Sequence, residues 1–113
     1  MNKYTSEGEY PEVTIKEFYE KRNYVVYALL DTVAFDFVAK NNIETLWIQA
    51  KNINEFVNLK AMSNVPISRD DKFLLWQYKG IGEWQILQFW RTALKSEFKE
   101  VAIVRCGKFY EKT

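Results

Sequence analysis

The apolar residues of this chain fall in short runs separated by polar, turn-forming clusters. The clearest run is Tyr24-Val25-Val26-Tyr27-Ala28-Leu29-Leu30. Seven consecutive residues rich in β-branched and aromatic side chains are strand length, and the absence of polar alternation predicts a strand covered on both faces. Residues 44–50 alternate instead. Leu46, Ile48 and Ala50 face one way, and Thr45, Trp47 and Gln49 the other, which predicts a second strand. Val101-Ala102-Ile103-Val104 predicts a last buried strand, continuing toward Phe109-Tyr110.

Other segments carry helical spacing. Thr14-Ile15-Lys16-Glu17 has the hydroxyl-to-carboxylate separation of a capping box. It predicts a helix over 15–22 with Ile15, Phe18 and Tyr19 on one face. Asp31 or Thr32 can cap a helix over 32–40, along which Val33, Phe37 and Lys40 share one side, and Asn41-Asn42 suits its stop. Asn52-Ile53-Asn54-Glu55 reads as a cap for a helix running to about Met62. Pro66 makes 63–68 a loop. The strongest helical pattern is 83–98, where Trp84, Leu87, Trp90 or Arg91, Leu94 and Phe98 recur at three- and four-residue steps. Residues 73–79, Phe-Leu-Leu-Trp-Gln-Tyr-Lys, fit either a strand turning at Gly80-Ile81-Gly82 or a helix ending at Gly80. Their length and aromatic content favour the strand.

The resulting alternation of helices and strands predicts a single α+β domain, a mixed sheet of about four strands with helices packed on it. Residues 1–12, polar and acidic with Gly8 and Pro11, read as a mobile tail before a domain spanning 13–113.

Composition narrows the function. The 113 residues contain one Cys and no His. A disulfide framework is impossible, a His/Cys zinc site nearly so, and His-based proton transfer is excluded. The lone thiol, and the lack of a signal-like or membrane-length apolar run, point to a cytoplasmic protein with no membrane partner. The net charge is +1, but it is uneven. Residues 1–71 hold 8 Lys+Arg and 11 Asp+Glu, and residues 72–113 hold 8 and 4.

No motif makes a convincing catalytic, metal or cofactor site. Gly80-Ile81-Gly82 lacks the further glycines and lysine of a phosphate loop and is followed by Glu83, which repels anions. Asp70-Asp71 lacks calcium-loop spacing and reads as a helix cap. Asp31 and Asp36 are five apart and would not face each other on a helix, and Glu17 and Glu20 lie among lysines. Cys106 sits between Arg105 and Lys108 but has no His partner, and reads as a small strand residue.

The suggestive feature is the four Trp, seven Tyr and eight Phe. Trp and Tyr combine an apolar body with a polar tip and, with Arg, dominate protein interfaces. The chain is therefore expected to be a non-enzymatic protein-binding module, such as an inhibitor, an immunity-type protein or a self-associating adaptor. Its partner would be another protein or a second copy, contacted through Trp47, Trp76, Tyr78, Trp90 and Arg91. The alternative is nucleic-acid binding through Lys79, Lys95, Lys99, Arg105 and Lys108, with aromatic stacking.

Overall fold

A computed structural model describes residues 12–29, 35–52, 55, 71–91 and 96–112. Within them the chain forms helix α1 (Glu12–Glu20) and strands β1 (Val25–Ala28), β2 (Phe37–Lys40), β3 (Thr45–Asn52), β4 (Asp71–Gly80), β5 (Glu83–Arg91), β6 (Ser96–Arg105) and β7 (Lys108–Glu111). The side chains of Glu12, Val13, Trp90, Arg91 and Ser96 lie outside the described part. The seven strands make one curled, half-barrel sheet in sequence order. The pair β3–β4 is parallel, Thr45 opposite Asp71, and the other neighbours are antiparallel.

This small, aromatic-rich α+β domain corrects the expected four-strand sheet with several packed helices. In two of the expected helices the described residues form strands, 37–40 within 32–40, and 83–91 and 96–98 within 83–98. In the segment 32–40, Phe37 and Ala39 point to the α1 side of the sheet and Val38 to the other, and all three are buried. Coverage on both faces makes consecutive residues apolar, and helical spacing then appears by coincidence. In the segment 83–98, Trp84 and Ile86 face α1, whereas Phe89 faces the opposite side against Phe73. The shift of apolar burden between faces inserts a three-residue step that imitates a helical turn. The register slips between Ile86 and Leu87 on β5, which pair with Ala102 and Glu100. Val101 is thus the extra residue of a bulge in β6. It lets Val101, Ala102 and Val104 all pack on the inner cluster while Phe98 packs on the outer one.

Residues 73–79 are strand, as favoured, and Leu46, Ile48 and Ala50 share the buried face. By contrast, the strand at 24–30 is not covered on both sides, since Val25 and Tyr27 are exposed. Asp71 opens a strand and accepts the Trp47 Nε1–H bond at 3.1 Å, so it does not cap a helix. Asn41 ends no helix. Its Oδ1 accepts bonds from Ile43 and Glu44 N–H in the β2–β3 connection. Asn52 N–H donates to Glu55 Oε1, half of a capping box, while the helix expected after it, the tail 1–11, Asp31, Thr32, the loop 63–68 and Asp70 lie outside the described residues.

Helix α1 begins at Glu12, ahead of Thr14. It ends in a Schellman motif with Asn23 at φ 70°. Tyr24 N–H bonds Tyr19 O and Asn23 N–H bonds Glu20 O, and the Tyr19 and Tyr24 rings pack 5.4 Å apart. The strand order is continued by tight hairpins. Cys106 and Gly107, both at positive φ, form the β6–β7 turn, so Cys106 is a turn residue. Ile81, between Gly80 and Gly82, also has positive φ, an unfavourable conformation for a β-branched residue. Tyr78 Oη accepts the Gly82 N–H there.

Two apolar clusters hold the sheet. The inner one joins Ile15, Phe18 and Tyr19 of α1 to strands β2–β6. At its centre Trp76 is 0% exposed, with Phe18, Tyr19 and Trp84 rings 5.1–5.6 Å away in edge-to-face arrangements. The outer cluster is Phe35, Phe73 and Phe89, flanked by Leu29, Trp47 and Phe98.

Trp76 Nε1–H donates to Tyr19 Oη at 3.0 Å, both groups being buried. Removing that hydroxyl leaves a buried donor without its partner. Tyr19→Phe is expected to destabilise the fold by about 1–3 kcal/mol, read as a lower urea midpoint at unchanged m-value.

Candidate functional site

Helix α1 covers only part of the inner face. Beside it lies a cleft of about 450 Å³, within the range of ligand-binding pockets. Its floor is the inner face of the sheet, Leu46, Leu74, Ile86 and Ala102. The alternation of each strand delivers these side chains to one side, and the β6 bulge adds Val101. Phe18, Tyr19 and Arg22 close one wall from α1 and its C-terminal turn, and Phe109 comes from β7.

The polar groups are arranged around this apolar floor. Glu44 sits at the start of β3 and Lys72 beside it on β4, their ion pair at 2.9 Å. The Tyr24 hydroxyl, placed by the Schellman turn, donates to the other Glu44 oxygen. Burial pushes the Glu44 carboxyl up, but the bonds from Tyr24 and Lys72 and the lysine charge together bring it below its ordinary value. Tyr24 moves the other way, to about 12, through burial, its bond to Glu44 and the carboxylate charge. Burial also holds the Tyr19 phenol above its usual range. Lys112 pairs with Glu100 at 2.7 Å. Arg22 lies with its guanidinium 3.5 Å over the Phe18 ring and 5.6 Å from Phe109, and Nη1 donates to Phe18 O at 3.1 Å.

The residues expected at a partner surface are dispersed. Trp76 is in the inner core and Tyr78 is half-buried beside Trp84, with ring centroids 4.8 Å apart. Trp47 is half-buried against Phe35 with the outer cluster. The backbones of Trp90 and Arg91 lie on β5 opposite Glu97 and Ser96, and their side chains are outside the described part. Of the expected phosphate contacts, Lys79 and Arg105 converge on the Glu83 carboxylate, 3.9 and 3.4 Å away. Lys108 is opposite Arg105 in register, Lys99 pairs with Glu97, and Lys95 lies outside the described residues. The cleft residues Arg22, Tyr24, Glu44, Lys72 and Gln88 were not singled out by the sequence. No spacing links positions 22, 44, 72 and 88, which only the sheet order brings together.

Among the described residues no group of three or more His, Cys, Asp or Glu is placed to hold a metal ion, and no helix is long and apolar enough to cross a membrane.

The lowered Glu44 value fixes a sign. A carboxylate held below its unfolded pKa stabilises the fold above the ordinary glutamate range, ~4.3, and that contribution is lost as pH falls through the folded value. The stability advantage of the wild type over Glu44→Gln is therefore expected to be full near pH 7 and to shrink on acidification below pH ~4, measured by urea unfolding at several pH values. Comparison of the chain with protein-family models, with curated protein sequences and with solved structures finds no match.

Proposed function

We propose that this chain is a binding module whose working element is the inner-face cleft, and that it takes up a small, mainly apolar molecule there. The observation that carries the reading is a cleft of about 450 Å³ with an apolar floor, beside the nine-residue helix α1. Binding is favoured over proton-transfer chemistry by the state of the cleft's ionisable groups. Both Glu44 oxygens are occupied and its pKa is lowered, and Tyr24 is raised to about 12. Neither is poised near neutral pH as a general acid or base requires. Of the aromatic residues that suggest an interface in the sequence, Phe18, Tyr19, Tyr24 and Phe109 line this cleft.

The test is NMR titration with straight-chain aliphatic compounds of eight to ten carbons. The amides of Leu74, Ile86 and Ala102 are expected to shift together and saturably. In Val101→Trp, where a larger side chain fills the cleft, those shifts are expected to disappear while the folded spectrum persists. Absent or scattered shifts at millimolar concentration would defeat the reading.

One observation favours a second reading, self-association through β1, which is an edge strand among the described residues. Val25, Tyr27 and Ile43 are 57%, 54% and 80% exposed around that edge. The strand Val-Val-Tyr-Ala has none of the charges or prolines that commonly protect an edge. Antiparallel pairing with the same strand of a second copy would extend the sheet and cover Val25 and Tyr27. Sedimentation equilibrium is then expected to detect a dimer at micromolar concentration that Tyr27→Lys weakens. A monomer throughout that range removes this reading.

A further inference from the structure

We infer that the cleft selects a medium-chain aliphatic carboxylate, with Arg22 and Gln88 as the groups that recognise its head. The inference rests on the cleft reading above and adds the ligand's class.

Arg22, Lys72 and Lys112 line the cleft together with Glu44 and Glu111. The two lysines are already paired, Lys72 with Glu44 and Lys112 with Glu100, which is outside the lining. Arg22 has no carboxylate within salt-bridge distance among the described residues. Arg22 is exposed at the rim of the cleft, and among the described residues one of its five N–H donors is used, by Phe18 O. Its plane rests on Phe18, which restrains the guanidinium and partly desolvates one face. A restrained guanidinium with free donors at an apolar cavity is suited to a planar carboxylate, which it can bind through two parallel bonds.

Gln88 supplies the second group. It projects from β5 on the same side as Trp84 and Ile86, is half-buried, and lines the cleft. Its amide makes no hydrogen bond to another described residue. An amide N–H₂ in that position can donate to a carboxylate oxygen. The apolar body of the ligand would lie along Val101 and Phe109, the more accessible apolar residues of the lining, above the buried Leu46, Leu74, Ile86 and Ala102. A cationic head placed at Arg22 would meet a like charge, and Glu44 in the cleft wall already has Tyr24 and Lys72 on its two oxygens.

The experiment compares decanoate, 1-decanol and decylammonium, each below its micelle concentration, by NMR and calorimetric titration of the wild type, Arg22→Met and Gln88→Leu. The expected order for the wild type is decanoate first, then decanol by about 10-fold, a difference typical of one charge-assisted hydrogen-bond pair, then decylammonium. Arg22→Met is expected to bring decanoate down to the decanol affinity while decanol changes less than about 2-fold, which also shows that the variant is folded. Gln88→Leu is expected to weaken decanoate by a smaller factor. Equal binding of decanoate and decanol overturns the carboxylate inference and leaves the cleft reading standing. A decanoate preference that survives Arg22→Met overturns the assignment to Arg22. Failure of all three compounds to bind defeats the cleft reading itself.

Discussion

The structure depends on how one short helix is fastened to the middle of a seven-stranded sheet. Trp76 lies on β4, the central strand in the order, and no water reaches it. Burying an indole gains a large apolar area, but its N–H must find an acceptor. Tyr19 on α1 supplies it. The same tyrosine ring packs on Trp76 and on Tyr24, so the contact also fixes where the chain leaves the helix. From that exit Tyr24 reaches Glu44, and Arg22 is laid over Phe18. Core packing and the polar wall of the cleft are therefore consequences of one docking event.

The cleft itself follows from dimensions. A nine-residue helix is about 13 Å long, at 1.5 Å per residue. Seven strands spaced at about 4.8 Å make a sheet roughly 29 Å across before it curls. Among the described residues this one helix lies on the inner face, and by itself it does not span it. The curl brings β7 and its Phe109 back toward the helix, and the bulge at Val101 turns an extra apolar side chain inward. The result is an apolar hollow with the paired Glu44 and Lys72 on one side and Arg22 on another.

The charge pattern of the sequence reads differently once the chain is folded. The basic excess of residues 72–113 suggests a cationic face. In the structure Glu83 takes up both Lys79 and Arg105, Glu44 takes Lys72 from the other half of the chain, and Glu100 takes Lys112. Three of the four glutamates of that half, Glu83, Glu97 and Glu100, pair with four of its cations, Lys79, Arg105, Lys99 and Lys112. The cation of the cleft with no such carboxylate among the described residues is Arg22, which comes from the acidic half.

The sequence by itself determined the local features whose causes are local. The strand read at 44–50 follows from alternation, the strand favoured over a helix at 73–79 from its length and aromatic β-propensity, the Gly80-Ile81-Gly82 turn from its glycines, and the apolar face of Ile15, Phe18 and Tyr19 from helical spacing. Only the tertiary structure decided that 37–40 and 83–91 are strands, because both sheet faces there carry apolar clusters and two-sided burial erases the period of two. The cleft was illegible for a related reason. Arg22, Glu44, Lys72 and Gln88 are separated by 16 to 28 positions, and no local pattern encodes a meeting set by strand order, a parallel β3–β4 pairing and one β-bulge.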